Sequence, residues 1–164
     1  MEKIATTIYR HDGTSITTKS YRTNVVDNFQ YAIERAEKSE VDAARESKDC
    51  KHDAKWAVAM AAVAGLSLLD PNPGLLAHIN MIIGTAGGVA YGAVATLHGL
   101  KSMELRNETE QSLYDARGFY ETLKKYPARL EKVGGELIGK FKGMYKRLVG
   151  TDTGLEQTID IYGK

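Results

Sequence analysis

Two runs of alternating residues between positions 3 and 22 predict a β-hairpin at the N-terminus. The Asp12-Gly13 pair between the runs is typical of a tight hairpin turn. A lone two-stranded hairpin is marginally stable in water, so it requires a third strand, a supporting helix or a neighbouring subunit. Residues 158–162, TIDIY, are a candidate third strand. The residues that share one face of each run are Ile4, Thr6 and Ile8, and Ile16, Thr18 and Ser20.

Apolar and small residues then recur at a spacing of three and four, which predicts one long helix over about 24–69. The segment DPNPG ends this helix, because two prolines two positions apart cannot continue it. We expect Pro71, Pro73 and Gly74 to form the turn of a helical hairpin, with the glycine permitting the reversal.

A second helix is predicted over about 75–125, nearly uncharged in its first half and polar with an apolar stripe in its second. Pro127 ends or kinks it, since the residue before a proline disfavours helical geometry. A third helix, about 128–149, has one apolar face and a basic polar side.

The fold class predicted is therefore mainly α: a long antiparallel helical hairpin, a third amphipathic helix and a small N-terminal β-hairpin. The expected organisation is residues 1–23 as the β-hairpin, 24–126 as the helical hairpin with an apolar tip at 56–100, 127–150 as the basic amphipathic helix, and 151–164 as an extended tail.

Small residues four positions apart form a ridge along the second helix, and a matching strip runs along the first. Each glycine costs a helix about 1 kcal/mol relative to alanine. Regular spacing of such residues indicates that another backbone comes close, either the same chain's first helix or a neighbouring copy's. The residues expected to pack helices or support oligomerisation are Ala57, Ala61, Gly65, Gly84, Gly88, Gly92 and Gly99.

Over residues 56–100, this pattern resembles the glycine-zipper hairpins of small membrane proteins. It is also similar to the hydrophobic helical hairpin of pore-forming colicin domains. The resemblance implies helices that pack closely in lipid. It covers this stretch alone and identifies no family.

The length of the two arms leaves both a membrane and a soluble interpretation open. A membrane-spanning helix needs about 20 apolar residues. The stretch from Trp56 to Leu69 is shorter than that, whereas Leu75 to Leu100 is long enough but includes His78 and His98. Basic residues flank the base of the tip and none lies in its loop, as in a two-span hairpin with cytoplasmic ends or a soluble hairpin with an apolar tip. They are Lys51, Lys55, Lys101 and Arg106.

The third helix also carries two interpretations. Its basic residues are either a surface that contacts anionic membranes or the solvated face of a helix in a soluble bundle. Gly135, Gly139 and Gly143 are four apart and lie opposite its apolar face. The candidate membrane-surface residues are Lys132, Lys140, Lys142, Lys146 and Arg147.

Composition narrows the function classes. With 22 Lys+Arg against 21 Asp+Glu, no overall basic field indicates a nucleic-acid partner. The single cysteine, Cys50, excludes an intrachain disulfide framework, and the N-terminus has no apolar segment typical of a secretory signal. We expect the protein to be membrane-associated or incorporated in a macromolecular assembly.

No nucleotide-binding, metalloprotease or nucleophile motif occurs in the sequence. Cys50, His52 and Asp53 are close in sequence, but neighbours two apart on a helix point in different directions. His78 and His98 are too far apart on one helix to share a ligand. We therefore expect no enzyme activity, no cofactor, no metal and no small-molecule substrate.

Two hypotheses remain. The first is a membrane-active or membrane-associated hairpin that oligomerises through its small-residue ridges, for example a pore-forming protein, a phage ejection protein or a secreted translocator. The second is a soluble structural subunit of a homo-oligomeric assembly, such as a virion or a secretion apparatus, with the apolar hairpin buried between subunits. Both favour a homo-oligomer, and only the first requires a lipid bilayer.

Overall fold

The structure is a computed structural model and describes residues 3–10, 12–21, 24–69 and 74–150. Its elements are two strands, β1 (Lys3–Tyr9) and β2 (Ser15–Tyr21), followed by four helices, α1 (Asn24–Leu68), α2 (Leu75–Lys124), α3 (Pro127–Val133) and α4 (Gly135–Leu148). The predicted class, mainly α with a long helix pair and a small N-terminal β-hairpin, is confirmed. Pro71, Pro73, the tail at 151–164 and its candidate strand lie outside the described residues.

The hairpin turn forms where the sequence places it. Strands β1 and β2 pair antiparallel, with Ile8 opposite Ile16. The Asp12 carboxylate accepts hydrogen bonds from the Thr14 backbone N–H at 2.9 Å and from the Thr14 hydroxyl at 2.6 Å. Gly13 has φ +80°, a conformation that glycine adopts without a steric penalty.

Helix α2 provides the support that a two-stranded sheet needs. Thr6 and Ile4 are buried, and the Thr122 hydroxyl donates a hydrogen bond to the Thr6 hydroxyl at 3.4 Å. A Cβ atom added at Gly118 would overlap the carbonyl oxygen of Thr7. Gly118 therefore lets the β1 backbone lie directly against the helix.

The predicted third helix is two helices, separated at Gly134. This residue has φ +80° and ψ 140°, and its N–H donates to the Glu131 carbonyl oxygen at 3.4 Å as α3 ends. An α-helix requires negative φ, so the chain interrupts one helix and begins the next at the Gly134-Gly135 pair. Glycine makes this interruption inexpensive.

The chain divides into two compact units. The first contains residues up to Glu40 together with residues from Asn107, and the second is Val41–Arg106. Helices α1 and α2 contribute a segment to each unit.

The first unit has an aromatic core. The rings of Phe29 and Phe141 meet edge to face with centroids 5.5 Å apart, and Tyr120 and Tyr145 contact the same cluster. Such pairs add about 0.5–1.5 kcal/mol beyond the area they bury. Aliphatic side chains from α1 and α2 complete this core, among them Val25, Ile33, Leu113 and Leu123.

The second unit is a helix pair that buries small residues. Its buried hydrophobic side chains, within the described residues, are Ala43, Ala64 and Ala95. The Ser102 hydroxyl is also buried and donates to the Ala43 carbonyl oxygen at 3.0 Å. Small side chains at these positions allow the α1 and α2 backbones of this unit to lie close together.

Candidate functional site

Among the described glycines of the second unit, Gly84 has the closest contact with a neighbouring backbone. A Cβ atom added there would lie 2.7 Å from both the Ala64 backbone nitrogen and the Met60 carbonyl oxygen. One helical turn later, a Cβ at Gly88 would lie 3.4 Å from the Ala57 carbonyl oxygen and 3.5 Å from the Ala61 nitrogen. The backbone that approaches these two glycines belongs to the same chain's first helix.

The remaining ridge positions are not in such contact. A Cβ added at Gly92 or Gly65 would meet nothing within 4 Å. A Cβ at Gly99 would lie 3.5 Å from the Cys50 sulfur, which is ordinary van der Waals distance. The ridge therefore has a close-packed position at Gly84, ordinary contacts at Gly88 and Gly99, and open space at Gly92. Gly74, the described member of the predicted turn, also has open space around its Cβ position.

The bulky apolar side chains of this unit point outward. Leu66, Leu76 and Ile82 are 70%, 76% and 64% exposed. Apart from Ile16 and Tyr31, every exposed large hydrophobic residue in the described chain lies in the second unit. Others of this group on the apolar tip are Val58, Val63, Leu68, Leu69, Leu75, Ile79, Ile83, Val89, Val94, Leu97 and Leu100.

An aromatic pair connects the two helices within residues 56–100, a stretch that contains no lysine or arginine. The rings of Trp56 on α1 and Tyr91 on α2 stack with centroids 6.2 Å apart. The indole N–H of Trp56 donates to His52 Nε2 at 3.3 Å, and His52 Nδ1 lies 3.4 Å from an Asp53 carboxylate oxygen. Asp53, His52 and the Trp56 indole thus form a short chain of polar contacts on α1.

A charged cluster connects the two helices on the other side of this aromatic pair. His98 Nδ1 lies 2.6 Å from Glu46 Oε2, and Lys101 Nζ lies 2.6 Å from Glu46 Oε1. The second ring nitrogen of His98 is 3.6 Å from an Asp53 oxygen. The sequence alone does not show that Glu46 is a partner of His98. Their opposite charges are the available signal, and the register between α1 and α2 is needed to bring them together.

Contacts within this cluster stabilise the charged forms of His98, Glu46 and Lys101. The hydrogen bond that His98 donates to Glu46, together with the charges of Glu46, Asp53 and Asp49, raises the pKa of His98 above its ordinary value. Hydrogen bonds from Lys101 and His98 lower the pKa of Glu46, and Glu46 raises the pKa of Lys101. An imidazolium between carboxylates is stabilised by attraction to both, so His98 links α2 to α1 electrostatically.

The other residues singled out for chemistry do not converge. His78 Nδ1 donates to the Gly74 carbonyl oxygen at 3.1 Å, at the start of α2, and Cys50 faces Gly99. In the described ranges, no group of three His, Cys, Asp or Glu side chains is placed to hold a metal ion.

The basic residues of α4 are partly engaged within the first unit. Lys140 Nζ pairs with Glu37 at 2.6 Å, and Arg147 pairs with Glu40 through both carboxylate oxygens at 2.6 and 2.7 Å. The Lys142 ammonium lies 5.9 Å from the Tyr120 ring centroid. Lys132 on α3 and Lys146 on α4 are exposed. Cβ atoms at Gly135, Gly139 and Gly143 would meet nothing within 4 Å.

By length and composition, α2 could cross a membrane, and it is the one helix of the described chain that meets this criterion. Only 11% of the 18-residue apolar stretch of α2 that meets the criterion is buried. A core helix of a soluble protein can share the composition but would be mostly buried.

Neither a family model, a curated protein nor a solved structure matches this chain.

Proposed function

We propose that the protein is a non-enzymatic, membrane-associating helical hairpin whose second unit, Val41–Arg106, inserts apolar side chains into lipid. The observation that carries this proposal is the inverted packing of that unit. The residues it buries are small, among them Ala64, Gly84 and Ala95. By contrast, the larger Leu66, Leu76 and Ile82 are exposed.

Water and lipid favour opposite arrangements of such residues. In water, removing a Val, Leu, Ile or Phe side chain from solvent stabilises a protein by about 1.5–3 kcal/mol, so bulky residues normally fill the core. In lipid the surroundings are as apolar as leucine, and helices associate through small residues that permit close backbone contact. The contact of Gly84 with Met60 and Ala64 is of the second kind.

The many exposed apolar side chains of the second unit support an interaction rather than a bare monomer in water. Large apolar patches on soluble proteins mark sites of contact with membranes or other proteins. The soluble alternative is a structural homo-oligomer that buries the same side chains between copies. We favour lipid because the bulky residues lie on both helices of the pair and because lysines flank the apolar stretch without entering it.

Flotation with liposomes tests the proposal. Purified protein, without detergent, is mixed with vesicles of phosphatidylcholine and phosphatidylglycerol and centrifuged through a density gradient. We expect it to float with the vesicles. The triple variant Leu66→Ser, Leu76→Ser, Ile82→Ser should remain at the bottom with unchanged helical circular dichroism, because these side chains are exposed and do not support the fold.

A matched control is Tyr31→Ser, which removes a side chain that is 65% exposed in the first unit. This variant should float like the unmodified protein. If the unmodified protein stays at the bottom and sediments as a defined large oligomer, the membrane proposal is wrong and the soluble assembly replaces it.

A further inference from the structure

We infer that the hairpin enters an anionic membrane from one side only, stops at Trp56 and Tyr91, and rests outward-facing lysines on lipid phosphates. This inference rests on the proposed function and specifies its lipid class and its depth. Three features of the second unit support it: the length of the paired helices, the aromatic pair, and the direction in which charged side chains point.

The pairing of α1 and α2 limits the depth to which the hairpin can enter the bilayer. From Trp56 to Leu68, α1 rises by about 18 Å at about 1.5 Å per residue, which is less than the hydrocarbon thickness of about 30 Å. Gly84 and Gly88 hold α2 against this arm. Helix α2 is long enough to span alone, but in this register its His98 lies beside Glu46. Deeper insertion of the pair would carry the charged part of α1 into hydrocarbon.

The aromatic pair lies where such a hairpin would meet the membrane surface. Trp56 is 48% exposed, stacks on Tyr91, and directs its N–H toward His52 on the charged side. Tryptophan and tyrosine concentrate at the membrane–water interface because they combine an apolar ring with a polar group.

Charges next to this pair are sorted by sign. The Glu46 and Asp53 side chains are only 14% and 16% exposed, and both lie against His98. By contrast, Lys51 and Lys55 are exposed. The outward charge beside Trp56 is therefore positive, which complements phosphate groups of anionic lipids. We refer to Lys51 and Lys55 as the basic rim.

One carboxylate opposes insertion. Asp70 is the sole Asp or Glu in the sequence between Trp56 and Tyr91. Bringing a charged carboxylate into hydrocarbon is unfavourable. Asp70→Asn should therefore bind vesicles more tightly than the unmodified protein.

The single tryptophan of the chain reports depth directly. Vesicles carry phosphatidylglycerol, and their acyl chains are brominated either near the headgroup or near the chain end. We expect Trp56 fluorescence to be quenched more strongly by the shallow bromines. In the variant Trp56→Phe, Leu66→Trp, the deep bromines should quench more strongly. Stronger deep quenching of Trp56 itself would overturn the one-sided insertion.

The basic rim is tested with the double variant Lys51→Gln, Lys55→Gln. Each lysine near an anionic surface contributes about 1 kcal/mol, so the double variant should bind phosphatidylglycerol vesicles about thirtyfold more weakly. The control Lys38→Gln, Lys125→Gln removes two other exposed lysines and should bind normally.

The two proposals fail in different ways. Equal binding to pure phosphatidylcholine and to anionic vesicles, or normal binding by the rim variant, would overturn this inference and leave the proposed function standing. Absence of binding to every vesicle, with a defined soluble oligomer instead, would overturn the proposed function as well.

Discussion

In the first unit, Phe29, Ile33 and Phe141 are fully buried, whereas in the second unit the buried hydrophobic side chains of the described chain are alanines. Both units use segments of the same two helices, α1 and α2. The comparison shows that a continuous helix can change its packing along its length, from a core of large aromatic and aliphatic side chains to one of small residues.

The cause lies in which face carries the large side chains. In the first unit, bulky residues recur at helical spacing on the face that meets a neighbouring element, so they interdigitate and exclude water. In the second unit, the buried residues are small, namely glycine, alanine and serine, whereas the large leucine, isoleucine and valine side chains are exposed. The first arrangement is stabilised by the hydrophobic effect in water, and the second leaves that stabilisation unrealised until the surface is covered.

The largest expected effect is on the aromatic core. Phe29→Ala removes a fully buried ring and should lower the free energy of unfolding by about 3–5 kcal/mol. Guanidinium denaturation measures the loss, and hydrogen exchange by mass spectrometry shows where it occurs. We expect faster exchange in residues 24–40 and 107–148. Equally faster exchange in residues 41–106 would mean that the two units unfold together. It would contradict the expectation that their stabilities are separate.

The next effect separates the two parts of the glycine ridge. Gly84→Ala places a Cβ against the α1 backbone and should destabilise the helix pair by about 1–3 kcal/mol. Gly92→Ala meets open space and should stabilise it by up to about 1 kcal/mol through helix propensity. Unfolding followed by Trp56 fluorescence measures both. A stabilising Gly84→Ala would contradict the close helix contact on which the inverted packing depends.

The smallest effect is the pH dependence of the second unit. The pKa of His98 is raised from 6.5 in the folded state, so its contribution is complete below about pH 6.5 and is lost as the pH rises through the higher folded value. The pKa of Glu46 is lowered from 4.5, so its contribution is present above about pH 4.5 and is lost on acidification. Stability of the helix pair should therefore be greatest between these two values.

His98→Gln should abolish the decline above pH 6.5 and keep the acid limb, measured as the unfolding midpoint of Trp56 fluorescence across pH. The change will be modest because solvent screens exposed charges. An unchanged decline in the variant would show that His98 does not link the helices. His78→Gln is the matched control, since His78 contacts the start of its own helix.

The sequence predicted most of the elements because their signals are local. Asp12-Gly13 indicated the β-turn, spacing of three and four indicated the helices, and Tyr126-Pro127 indicated the end of α2. The break at Gly134 was missed, because two consecutive glycines are compatible with either a weak helix or an interruption. The importance of Gly118 was also missed, since only the position of β1 against α2 reveals the backbone contact.

The candidate site was predictable in part. Periodicity placed Gly84, Gly88 and Gly92 on one ridge, but only the helix register shows that the first two contact α1 and that Gly92 is open. The same register brings Glu46 to His98 across 52 residues of sequence.

By itself, the sequence determined the helix pair, the β-hairpin, the apolar stretch and the regular spacing of its small residues, because turn chemistry and hydrophobic periodicity act over a few residues. Tertiary structure decided which side chains each unit encloses. In the second unit it placed glycine and alanine between the helices and directed leucine and isoleucine outward. The physical reason is that close backbone packing and burial of bulky side chains cannot occupy the same interface, and a wheel drawn for one helix does not show which face its neighbour covers.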